Sequence, residues 1–147
     1  MTTSSEAGVL DTNVLIAAFD TRDPNHEACR RLVEAVETGS VRGYVVAQVL
    51  FEFVAVVTNP KRVRSPRSVE EALRLAEQIA DVLPVLPAPV DLHARVIGLY
   101  RLLPSRSARN IFDTAIAATA LGNGIGSIFT YNMQDFEDLP GIIVLTP

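Results

Sequence analysis

The stretch GVLDTNVLIAAF, residues 8–19, decides the fold class. Residues 8–10 are a short apolar run, and residues 13–19 have the apolar density of a buried helix, so a strand runs straight into a helix. An unbroken apolar strand belongs to a parallel sheet covered on both faces, because a strand with one wet face alternates polar and apolar residues. Asp11 stands at the junction and is the only ionisable side chain between Glu6 and Asp20. A carboxylate taken out of water is costly unless something compensates it.

The same grammar continues outward. Residues 44–46 and 127–130 read as further short strands, and residues 142–145 as a last one. Between them lie helical patterns. One has Asp23 as its cap and Pro24 in its first turn, with Leu32, Val33 and Val36 on one face and Gly39 ending it. Residues 47–58 form a nearly all-apolar helix stopped by Asn59-Pro60. Ser68 and Glu71 make a capping box for EEALRLAEQIADV. LPVLPAP reads as an extended connector; residues 91–103 form an amphipathic helix, and residues 111–121 a buried, Ala-rich one. YNMQDFEDLPG joins the last two strands. Strands alternating with helices predict an α/β sandwich with a short, mainly parallel central sheet flanked by helices. Residues 1–7 are small and polar and are expected to form a flexible tail before a single domain at 8–147.

With 147 residues, 48% of them hydrophobic, the chain can build one full core but not two. Its 17 acids exceed its 13 bases, so contact with nucleic acid has to come from local basic patches rather than bulk charge. The single cysteine, Cys29, excludes an internal disulfide framework and a Cys-rich zinc site, and fits a reducing cytoplasm. Cys29 is expected to pack as a small apolar side chain, and His26 and His93 to sit on the surface. The start MTTSSEAG lacks the basic and apolar segments of a signal peptide, and no uninterrupted apolar run reaches the roughly 18 residues of a membrane span. The expectation is a soluble cytoplasmic protein.

Asp11 is not alone. Glu52 is the only charge between Arg42 and Lys61, and Asp113 the only charge between Arg109 and Asp135. One such acid is explained by helix capping or a narrow solvent window. Three are harder to explain, because none of the three runs carries a basic partner. Brought together, the three would repel one another and raise each other's pKa, and a divalent cation would relieve both burial and repulsion. In open α/β sheets, sites form at the carboxyl ends of strands. Asp11 lies at such an end, and Thr130, Asn132 and Asp135 follow another. Oxygen donors without Cys or clustered His point to Mg²⁺ or Mn²⁺ rather than zinc.

The ordered set DTN after the first strand, a Glu in a central apolar helix, DTAIAA around Asp113, and the closing TYNMQDF resembles the PIN-domain ribonucleases. Within them it is most like the VapC toxins of toxin–antitoxin pairs. The resemblance implies a PIN-like sandwich and a metal-dependent endoribonuclease that leaves 5′-phosphate and 3′-hydroxyl ends. Asp11, Glu52 and Asp113 match the family's acidic metal ligands. The family's fourth acid corresponds to Asn132, which brings a carbonyl but no charge; Asp135 is the other candidate for that place. Thr130 matches a supporting hydroxyl. Thr12 and Asn13 are read as shaping the turn through backbone hydrogen bonds. The resemblance further implies an RNA substrate, a small DNA-binding antitoxin that inserts a segment into the acidic groove, and a homodimer.

Two basic stretches accompany the acids. Arg106 and Arg109, just before Asp113, are candidate phosphate contacts, whereas Lys61, Arg62, Arg64 and Arg67 are read as a solvated loop. Other readings fare less well. A haloacid-dehalogenase-type phosphatase needs a second Asp at position 13, and a receiver domain needs a late Lys, yet no Lys follows Lys61. A PIN-like module that binds RNA or protein without cutting, and a housekeeping RNA-processing nuclease, are the remaining alternatives.

Overall fold

The computed structural model describes residues 6–104 and 111–147. In chain order the elements are β1 (Ala7–Leu10), α1 (Thr12–Phe19), α2 (His26–Glu37), β2 (Arg42–Val46), α3 (Ala47–Val57) and α4 (Val69–Val82). They continue with β3 (Val85–Leu86), α5 (Leu92–Leu102), α6 (Ile111–Gly122), β4 (Ser127–Phe129) and β5 (Ile143–Leu145). The strands form one five-stranded sheet in the order β3-β2-β1-β4-β5, and every pairing is parallel. The α/β sandwich expected from alternating apolar strands and helices is therefore the observed fold.

β1 occupies the centre of the sheet, which explains its lack of alternation. Val9 and Leu10 are fully buried, as are Val14 and Leu15 on the helix that follows. Leu10 pairs with Phe129 of β4, and Val9 lies between Tyr44 of β2 and Ile128 of β4. Successive strands run from β1 outward to β3 on one side, and the chain then returns to place β4 and β5 on the other. That reversal beside β1 opens a crevice at the strands' carboxyl ends, where such folds hold their ligands. Phe53 of α3 is completely buried and meets Phe19 of α1 edge to face, with ring centroids 6.0 Å apart.

Local signals account for some of the element ends. Ser68 and Glu71 form the reciprocal capping box that opens α4. α2 closes in a Schellman motif: the Ser40 N–H reaches the Ala35 carbonyl at 2.8 Å and the Gly39 N–H the Val36 carbonyl at 3.1 Å. That turn needs Gly39 in the left-handed region, at φ 79°. Gly43 in β2 has a different cause, since a Cβ there would come within 2.4 Å of Val36 Cγ2.

Some boundaries differ from those read in the sequence. β1 begins at Ala7, inside the expected tail. α2 begins at His26 rather than after Asp23: the Asp23 carboxylate accepts the Asn25 N–H at 2.8 Å and stabilises a turn that contains Pro24. LPVLPAP contains β3, where Val45 donates its N–H to the Pro84 carbonyl and residues 85–86 pair with β2. A 3₁₀ turn, Met133–Asp135, interrupts the loop after β4. His26 is not a plain surface residue, because its Nδ1 lies 2.8 Å from the Ala17 carbonyl and ties α2 to α1. Cys29 is buried, with its Sγ 3.8 Å from the Tyr131 hydroxyl. Among the described residues no helix is long and apolar enough to cross a membrane.

Candidate metal centre

Asp11 ends β1 and caps α1, and its place is fixed from several directions. Its backbone N–H extends the β1–β4 ladder by donating to the Phe129 carbonyl at 3.0 Å. Its side chain is 5% exposed. Oδ1 accepts the Thr12 N–H at 2.8 Å, while Oδ2 accepts the Thr130 hydroxyl at 2.8 Å and the Asn13 amide at 3.1 Å. Capping alone would use only the first of these bonds.

Thr130 completes the arrangement from β4's end. Having given its one proton to Asp11, its hydroxyl accepts from the Asn13 amide at 3.1 Å and from the Asn132 N–H at 3.0 Å. Asn13 Oδ1 in turn accepts the Tyr131 N–H at 3.2 Å. The Thr12 hydroxyl points to α3 and donates to Glu52 Oε2 at 2.8 Å. Thr12 and Asn13 thus act through their side chains as well as their backbone. Their adjacency to Asp11 is the only sign of this in the sequence, since the partners lie 40 and 117 residues away.

Asp11, Glu52 and Asp113 line one cleft of about 510 Å³, together with Asn132 and Asp135. Four separate pieces of chain supply them: the end of β1, the middle of α3, the first turn of α6 and the loop after β4. Arg62, from the loop between α3 and α4, is the cation in the lining. Arg106 and Arg109 lie outside the described residues.

The electrostatics record the crowding. Burial pushes the Asp11 carboxyl above its ordinary range, and charge on Glu52 and Asp135 adds to the effect, while the bonds from Thr130 and Thr12 oppose it. Asp113 is only half-buried, yet burial and the charges of Asp11, Asp135 and Glu52 raise it to about 7. Among the described residues the lining sets four carboxylates against the single guanidinium of Arg62, so the cleft is short of positive charge.

A hard divalent cation suits this donor set. The cleft offers carboxylates and an amide carbonyl, with neither thiolate nor imidazole among the described residues of its lining. Among the described residues no three acids stand together as a ready cage for an ion. Mg²⁺ does not require one, because it keeps several waters and takes only one or two carboxylates, with substrate phosphates completing its shell.

Comparison with known proteins agrees with the fold. The family model of the PIN domain matches residues 8–142. Among solved structures, VapBC2 from Rickettsia felis bound to a DNA fragment from its promoter aligns over 96% of this chain and 98% of its own, at 16% identity and a TM-score of 0.71. VapBC-1 from nontypeable Haemophilus influenzae aligns over 95% and 97%, at 15% identity and a TM-score of 0.69. Mycobacterium tuberculosis VapC20, a toxin that cleaves the sarcin-ricin loop, aligns over 95% and 98%, at 17% identity and a TM-score of 0.65. Comparison with curated protein sequences finds no match. With the family model spanning nearly the whole length, this chain belongs to the PIN domain family.

Proposed function

We propose that this chain is a Mg²⁺- or Mn²⁺-dependent endoribonuclease and the toxin of a toxin–antitoxin pair. The observation that carries the reading is the meeting of Asp11, Glu52, Asp113 and Asp135, from distant parts of the sequence, in one cleft at the carboxyl ends of the central strands. Asp11, Glu52 and Asp113 would hold the cation, directly or through its waters, with the Asn132 carbonyl or Asp135 in the fourth place. When bound, such an ion lowers the pKa of water and steadies charge on a phosphodiester under in-line attack. The chain's own part is orientation. Thr12 fixes Glu52, and Thr130 and Asn13 fix Asp11, so both carboxylates present defined oxygens without a search through rotamers.

The test is cleavage of a mixed RNA pool by purified chain with Mg²⁺ or Mn²⁺, and with EDTA. Cuts that need the metal and vanish in Asp11→Asn, while that variant keeps its far-UV and near-UV circular dichroism, are the expected result. Cleavage by Asp11→Asn equal to the parent would sink the assignment. Asn132, which adds no charge where the family has its fourth acid, favours a second reading: a PIN-like module that binds RNA or protein without cutting it. Folded, antitoxin-free protein that cuts with neither metal would select that reading. The toxin role and an antitoxin partner rest on likeness to toxin–antitoxin proteins, VapBC2 and VapBC-1 among them, and a homodimer rests on the resemblance in sequence alone. Growth arrest on expression, relieved by the product of a neighbouring reading frame, distinguishes a toxin from a housekeeping nuclease.

A further inference from the structure

The acidic cleft does not end at its acids. It shares Ile16 and Arg62 with a second cavity of about 450 Å³, which is also lined by Arg22, Val63 and Arg64. That cavity shares Ile16, Arg22 and Val63 with a third one beside Ser65 and Arg67. The three are therefore segments of one groove. It runs from the candidate metal centre between the turn after α1 and the loop joining α3 to α4.

Both walls are held in place. Arg67, half-buried, donates to the Phe19 carbonyl at 3.0 Å and its backbone N–H to the Val57 carbonyl at 2.8 Å. Arg22 reaches the Ser65 hydroxyl at 3.4 Å across the far end. At the near end, Asn59 accepts the Lys61 N–H through its side chain at 2.9 Å and the Arg62 N–H through its carbonyl at 2.9 Å. This turn sets Arg62 in the cleft wall. The loop read from sequence as a solvated charge run is thus a structured rim, on which Arg67 has a structural task and Arg62 and Arg64 are exposed along the groove.

We propose that single-stranded RNA leaves the metal centre along this groove, with phosphates flanking the scissile one resting first on Arg62 and then on Arg64. The inference rests on the ribonuclease reading and adds a direction to it. Charge favours a polyanion here: the middle segment sets Arg22, Arg62 and Arg64 against Asp20 and Asp23, and the Arg22–Asp20 pair at 3.4 Å offsets one charge of each sign. Ile16 and Val63 add an apolar part to the lining beside these charges.

The test is binding of a labelled single-stranded RNA of about 12 nucleotides, within the usual span of single-strand sites. It is measured by fluorescence anisotropy on the non-cleaving Asp11→Asn background, across a range of salt. Adding Arg62→Gln and Arg64→Gln should weaken binding at least tenfold at low salt and flatten the plot of log K against log salt by about 0.7 per lost phosphate contact. Arg74→Gln, an exposed arginine on α4 outside the groove, should leave both values unchanged. If the double change behaves like Arg74→Gln, the track is overturned and the groove is left to a protein segment. Cleavage by the otherwise native chain separates the two failures. Metal-dependent cutting with unchanged kcat/KM in Arg62→Gln/Arg64→Gln refutes the track alone, whereas a chain that binds RNA through these arginines but never cuts refutes the nuclease alone.

Discussion

Thr130 contains much of the local logic in one hydroxyl. It is fully buried, donates to Asp11 Oδ2, and accepts from the Asn13 amide and the Asn132 N–H. Thr130→Val keeps the shape and removes all three bonds, so the cost comes chiefly from the hydrogen bond lost at the buried Asp11 carboxylate rather than from a cavity. A hydrogen bond to a charged group contributes about 1.5–3 kcal/mol. Thr130→Val should therefore lower the unfolding free energy in urea by about 2 kcal/mol and also reduce metal-dependent cleavage, because Asp11 loses a restraint. Thr130→Ser, which restores the hydroxyl, should recover most of both. Stability equal to the parent in Thr130→Val would mean that water satisfies these groups and that Thr130 does not brace the site. At this scale the sequence is half informative. Asp11, Glu52 and Asp113 are legible because each is a lone charge in an apolar run, which physical chemistry disfavours. The bonds of Thr12, Asn13 and Thr130 are not legible, since they exist only once α1 meets α3 and β1 meets β4.

Between elements, the tightest constraint lies where α2 crosses β2. Gly43 is buried, and a Cβ there would stand 2.4 Å from Val36 Cγ2, 3.0 Å from Leu83 Cδ2 and 3.2 Å from Leu10 Cδ1. Gly43→Ala must push α2 away from the sheet or force Val36 from its rotamer, an overpacking penalty of about 1–3 kcal/mol. Val36→Ala removes the closest atom, so the double variant should be less destabilised than the two single effects added together. Chemical denaturation of the four proteins measures that coupling, and strict additivity would show that Val36 is not the obstacle. Elements whose ends are set by local chemistry were readable: the capping box at Ser68 and the Gly39 stop of α2 need only their own neighbours. β3 was not readable, because its two residues are a strand only through the edge of β2, and three prolines in the seven-residue stretch around it suggest a connector. α2 starts later than the sequence suggests for a related reason. Asp23 can cap either a helix or a turn, and the bond from the His26 ring to Ala17 favours the later start.

For the molecule as a whole, four elements with their own stabilising contacts converge on a centre whose charges repel. Without a cation, that repulsion works against folding. Asp113, raised to about 7, and Asp11, raised in the same direction, bind protons more tightly in the folded chain than in the unfolded one. Between the ordinary carboxylate pKa near 4 and about 7, the folded state therefore holds more protons, and stability falls as pH rises through that window. Above it the contribution is flat. The carboxylates held below the ordinary range, Asp20 by the Arg22 backbone N–H and side chain, Glu27 by Arg30 and Asp91 by Arg95, act in the opposite sense but only below that range, so they do not mask the trend. In EDTA the Tm should decline from pH 5 to 7, and Asp113→Asn should flatten much of that decline. Mg²⁺ or Mn²⁺ added at pH 7.5 should raise the Tm of the parent with increasing concentration, as expected of a ligand bound only by the folded state, and should raise Asp11→Asn far less. A parent Tm that is level from pH 5 to 7 in EDTA and indifferent to both metals at pH 7.5 would mean that the acids share a cleft without sharing an ion. In that case neither an ion nor a proton would be relieving repulsion between Asp11, Glu52 and Asp113, solvent would be screening it, and activity near neutral pH would have no metal centre to depend on.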